Sequence, residues 1–191
     1  MNFNTDMNKI LQLTIWAEIK LNSWKRLKLK SIPRLLLKEA IFIIDRTRIY
    51  CQNKLKIQIG NIAYSTQHAG SSTRGYTDFD DMSIAIFVVN MWQEADRFPK
   101  FRDNLFLHKV VRTTLHECYH MYQIQLNYAQ HKRYFEHLMS EDQAVEFLNK
   151  IEQEAVKFSK ENWKAVKKLV KDLDFTEDMA VNIKGKYLKH Y

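Results

Sequence analysis

The chain has 191 residues, 46% of them hydrophobic and 13% aromatic, which excludes a disordered protein and suits one domain with its own core. Two cysteines, Cys51 and Cys118, are too few for a disulfide framework, and no apolar run reaches the roughly 18 residues of a spanning helix. Most of the net charge of +8 lies early, with ten Lys or Arg against four Asp or Glu in residues 1–50; charge alone leaves a solvated face and a nucleic-acid surface both open.

In chain order, residues 8–30 have the pattern of an amphipathic helix running into a basic stretch. Ser31 and Pro33 form a start signal for a second helix to about Cys51, so a basic helical part is expected over about 1–52. Leu55, Ile57 and Ile59 alternate with Lys54, Lys56 and Gln58, which predicts a half-buried strand ended by Gly60-Asn61. Ser65 to Gly75 is small and polar and has the composition of a loop or an irregular edge segment. Ser83 to Asn90 is apolar on both faces and predicts a central strand. Between Pro99 and Gly185 there is neither Gly nor Pro, so helices are expected, one from about Asp103 to Leu126. Ser140 and Gln143 form a capping box that opens another, running past Phe158 towards Val170. Met1–Asp6 lacks the basic and apolar pattern of a signal peptide, so no leader and a cytoplasmic protein are expected.

The chemistry concentrates in His116-Glu117-Cys118-Tyr119-His120. Histidines four apart project from one helix face and can take two corners of a tetrahedral zinc site. Glu117 sits about 100° around the helix from His116, where it can accept a proton from a zinc-activated water. With seven His and 11 Glu in the chain, the pattern arises by chance roughly 0.015 times. Leu107, Val111, Leu115, Cys118 and Tyr122 form a separate apolar back that can face the sheet. Cys118 points away from the histidines and is expected in the core.

A catalytic zinc needs a third protein ligand, and residues 150–159 supply a candidate helix. Glu152, Ala155 and Phe158, together with Tyr122-Gln123 after the histidine motif, resemble the glutamate-ligand zincins, including ImmA/IrrE-like peptidases and related small phage and Firmicute proteins. The resemblance covers roughly residues 70–160 and implies that Glu152 binds zinc. Val156 stands where that family carries Asn or Asp, so a hydrogen bond to a ligand histidine is either missing or supplied elsewhere, and Ser159 stands where it carries Ala. Glu154 is a rival on the same helix. His131 is another, because His131 and Phe135 resemble the third-ligand segment of SprT-like proteins, although Lys132 replaces the usual Gly. His68, His108 and His137 are expected to be ordinary surface or packing residues. Arg74, Tyr76 and Tyr119 are candidate oxyanion stabilisers, and Ser72 to Tyr76 precedes the strand where zincins present an edge to extended substrates.

The expected protein is a single α+β, zincin-like domain over residues 1–191. It carries a small, mostly antiparallel twisted sheet on a predominantly helical body, with the histidine motif on a central helix. The expected activity is a zinc (Zn2+) peptidase with Glu117 as general base, acting on a protein or peptide. The rival is a basic nucleic-acid-binding or adaptor protein that keeps the shape without turnover, which predicts salt-sensitive binding and indifference to Glu117→Gln.

Overall fold

Pro33 carries no amide proton, so it fits at the head of a helix, where its carbonyl accepts from the Leu37 amide at 2.9 Å. Helix α1 follows over Arg34–Leu55 and ends where Lys56 turns left-handed, at φ 57°. The computed structural model describes residues 32–65 and 73–172. Ser31, His68 and the helix expected over 8–30 lie outside the described residues.

The strand expected at residues 54–59 is not formed. Gln58 gives its backbone groups to a side chain instead: its amide donates to Gln125 Oε1 at 3.3 Å, and Gln125 Nε2 donates to its carbonyl at 2.5 Å. With those groups satisfied, no strand partner is needed. Ile59 anchors the segment in the core, and strand β1 begins later, at Ile62–Ser65.

Strands β2 (Gly75–Asp78) and β3 (Ser83–Phe87) complete a three-stranded sheet of order β1-β3-β2. β3 is central, as its two-faced apolar run predicts, and pairs antiparallel with β2 but parallel with β1. The sheet is therefore mixed rather than mostly antiparallel. β2 runs opposite to β1 on the far edge, and β3 reverses direction again between them, so it runs the same way as β1.

The expected strand over 83–90 stops at Phe87, and its second half becomes helix α2, Val88–Asp96. Val88, Val89, Met91, Trp92 and Ala95 are all buried there. An apolar run suits a buried helix as well as a central strand, and alternation cannot separate the two.

A single 3-10 turn, Pro99–Phe101, leads into α3, Arg102–Leu126. This helix is the hub of the fold and touches α1, α2, β2, β3, the short α4 (Tyr128–Phe135) and the long α5 (Glu141–Asp172). Its buried residues, including Phe106, Val110, Val111, Leu115, Cys118 and Met121, span more than the single expected stripe, while Leu107 and Tyr122 are only half-buried. Neighbours on several sides widen the apolar sector. Helix α5 starts on the expected capping box, with the Ser140 amide donating to Gln143 Oε1 at 3.2 Å and the Gln143 amide to Ser140 Oγ at 3.4 Å. It buries Phe147, Ala155, Phe158, Asn162 and Val166 at helical spacing. The described residues thus form a mostly helical α+β fold, and no helix among them is long and apolar enough to cross a membrane.

Candidate metal centre

A cleft of about 940 Å³ opens along α3, between β2 on one side and α4 and α5 on the other. His116 and His120 project into it one turn apart, with ring centroids 4.5 Å apart and planes at 89°. Their Nε2 atoms lie 2.9 Å from each other. From α5, Glu152 brings Oε2 to 3.3 Å from His116 Nε2 and Oε1 to 3.2 Å from His120 Nε2. One donor atom from each of the three lies within 4.8 Å of the others, an arrangement that can hold a metal ion.

The donor set passes a simple geometric test. Two ligands about 2.0–2.1 Å from one tetrahedral centre are themselves roughly 3.3 Å apart. The separations of 2.9, 3.2 and 3.3 Å are close to that edge. Two neutral imidazoles and one carboxylate also leave a fourth position open. The hydrogen bonds from His116 and His120 outweigh the cost of burial and hold the Glu152 carboxyl well below the usual carboxylate range. Burial disfavours a proton on His120, but the Glu152 hydrogen bond and the charges of Glu117 and Glu152 prevail and raise its pKa. Two imidazole nitrogens and a carboxylate thus converge on a space that suits a cation.

Gln123 supplies the hydrogen bond that Val156 cannot. Its Oε1 lies 2.9 Å from His120 Nδ1, where it suits a proton on that nitrogen and leaves Nε2 as the atom that faces Glu152 and the cleft. The Gln123 amide nitrogen donates to the Ile151 carbonyl and to Glu154 Oε2, each at 3.0 Å. Glu154, the rival ligand, is thereby placed behind His120 rather than among the three donors. The role of Gln123 was within reach of sequence reasoning, since Tyr122-Gln123 carried part of the resemblance. Its partner was not.

His131, the other rival, lines the cleft but stays outside the three-residue group. It is 3% exposed and packs edge-on to Phe147, with centroids 4.9 Å apart. Burial, reinforced by the charge on His120, pushes its pKa down to about 4. Its ring is therefore neutral near pH 7.

Glu117 is 7% exposed and stands apart from the three donors. The Thr77 hydroxyl lies 2.8 Å from Glu117 Oε2 and 3.1 Å from the Glu117 carbonyl oxygen, so β2 clamps both ends of the residue. Gly75 makes the close approach possible: a Cβ there would sit 2.6 Å from Glu117 Cγ and 2.7 Å from Oε1. Burial raises the Glu117 pKa, while the charges of His120 and His116 and the Thr77 hydrogen bond offset part of the rise. Gly75 and Thr77 carry no motif of their own, so only their placement on β2 reveals them.

The remaining candidates separate clearly. Arg74 and Tyr76 line the cleft, and Arg74 pairs with Glu94 at 2.8 Å. Tyr119 stacks on Phe158, with centroids 4.7 Å apart, and does not line the cleft. Cys118 is fully buried, and burial together with neighbouring Cys51 pushes its thiol well above the ordinary range, so it is a core residue and no ligand. His108 also lines the cleft, against Trp163, whereas His137 is exposed and lies outside the cleft lining. Comparison of the chain with family models, curated proteins and solved structures found no match.

Proposed function

We propose that this chain is a zinc-dependent peptidase of zincin type, with His116, His120 and Glu152 holding the metal and Glu117 acting as general base. The observation that carries the reading is the division of labour between two glutamates. Glu152 meets both imidazoles and is strongly acidic, whereas Glu117 is buried beside them, is less acidic than usual and makes no contact of that kind. Carboxylates pushed apart in this way suit a ligand and a base respectively. The likeness of His116–Gln123 and Glu152–Phe158 to the glutamate-ligand zincins supports the same assignment.

Bound zinc supplies a Lewis acid that activates water and polarises a carbonyl near neutral pH. The protein residues do the rest. Glu117, fixed by Thr77 and Gly75, takes a proton from the attacking water as oxygen bonds to the carbonyl carbon. It returns that proton to the amine nitrogen as the C–N bond breaks. Among the described residues β2 pairs with β3 alone, and its other edge suits an extended peptide beside the cleft.

The test is metal content and peptide cleavage in the full chain. About one zinc per chain is expected in the wild type and in Glu117→Gln, and little in His116→Ala or Glu152→Ala. Cleavage of a denatured protein substrate is expected in the wild type alone. Zinc retained in both ligand variants, or turnover retained in Glu117→Gln, would overturn the assignment.

A further inference from the structure

The cleft is chemically lopsided about the metal group. Towards the C-terminal end of α3 its walls are apolar, with Ile124, Phe135, Leu148 and Ile151. Towards the N-terminal end they are cationic, with Lys109, Arg112 and Arg74 beside His108. His108, Arg112, His116 and His120 form one ladder at spacings of four, so Arg112 stands one turn from the first ligand histidine.

The positive charge at this end is not neutralised. Glu94 is shared by Arg74 at 2.8 Å and Lys109 at 2.6 Å, two cations on one carboxylate. Arg112 has no carboxylate partner among the described residues. Its Nη2 donates to Ser159 Oγ at 3.3 Å, and Ser159 commits its own proton to the Val156 carbonyl at 2.9 Å. Arg112 Nε is buried without any hydrogen-bond partner. That Nε faces the interior, but Arg112 lines the cleft with Ser159 as its one side-chain partner among the described residues, and the guanidinium donors on the cleft side suit a carboxylate. The surroundings report the same excess: burial first, then the charges of Arg112, Lys167 and Lys109, lowers the pKa of His108.

We infer that Arg112 forms a carboxylate-binding subsite, so that the preferred substrate carries an acidic group within one or two residues of the bond cleaved. One helical turn is about 5.4 Å, against about 3.3 Å per residue of an extended peptide, which sets that distance. The carboxylate belongs either to an Asp or Glu side chain or to the end of the peptide. The inference rests on the peptidase reading for the word substrate, but the subsite itself is testable by binding alone.

The experiment compares three peptide hydroxamates of equal length on the zinc-loaded full chain by calorimetry. One is neutral and amidated, one has a free C-terminal carboxylate, and one is amidated with Asp replacing Asn. One of the two acids is expected to bind about 10- to 100-fold more tightly than the neutral compound, and which one it is names the source. Arg112→Gln is expected to abolish that gain while keeping its zinc. If that variant loses zinc, Arg112→Lys decides: it keeps the charge but not the fork, and the gain should shrink. Equal affinities, no binding of any compound, or a gain unchanged in these variants would overturn the subsite. A wild type that shows the Arg112-dependent gain yet cleaves no peptide would refute the peptidase reading and leave the subsite standing.

Discussion

The two sides of α3 are built to different rules. The side facing the cleft carries His108, Arg112, His116 and His120, all partly accessible and in want of partners from outside their own helix. The opposite side carries Val111, Leu115 and Cys118, sealed against α1 and the sheet. One helix thus holds a rigid packed back that fixes the position of a polar front. The difference teaches where stability and chemistry reside: substitutions behind the helix should cost folding, and substitutions in front should cost metal or turnover.

The sharpest division should come from Glu117→Gln. Loss of a general base is expected to reduce peptide cleavage by about 10²–10⁴-fold with zinc content unchanged. Steady-state kinetics beside metal analysis would show it, and a parallel loss of zinc would blur the distinction between base and ligand. From the back of the helix, Leu115→Ala empties a fully buried position and should cost about 2–5 kcal/mol of stability. Denaturant unfolding measures that cost, and a variant as stable as the wild type would show that the back is not rigidly packed.

Gly75→Ala tests how tightly the sheet meets the front. The added methyl would fall 2.6 Å from Glu117 Cγ, so the carboxylate must move. Displacement of a positioned group by about 1 Å can cost about 10²-fold in rate, and a loss of that order is expected with zinc retained. Gln123→Leu removes the acceptor that fixes the His120 tautomer and should weaken zinc binding by about 10- to 100-fold, measured by chelator competition.

The smallest effect concerns pH. His131 has a folded pKa of about 4, against an ordinary value of about 6.5. As pH falls from the ordinary value towards the folded one, the unfolded chain takes up the proton first, so this residue subtracts stability across that window. Above the window its full contribution is present. His131→Gln should therefore lose less melting temperature than the wild type between pH 7 and pH 5. Equal losses would mean that burial of this ring does not govern its protonation.

The helical body was legible because its signals are local. The Ser140–Gln143 box, the spacing of Phe147, Ala155, Phe158 and Val166, and the long interval without Gly or Pro need no distant partner to act. The strands were less legible. Alternation at residues 54–59 looked like a strand until the side chain of Gln125, 67 residues on, took up the Gln58 backbone groups. The run from Ser83 to Asn90 splits into a strand and a helix because both halves are buried, and burial favours apolar residues in either form.

The same boundary runs through the site. By itself the sequence determined that His116 and His120 share one face of a helix and that Glu117 does not, because a helical repeat of 3.6 residues permits nothing else. Only the tertiary structure decided which third residue meets them, since Glu152 and Glu154 lie on one helix and differ by its rotation against α3. It also decided that Gly75 and Thr77 hold Glu117, and that Arg112 meets Ser159 and no carboxylate among the described residues. Each of these depends on contacts between residues far apart in the chain, and no spacing rule encodes them.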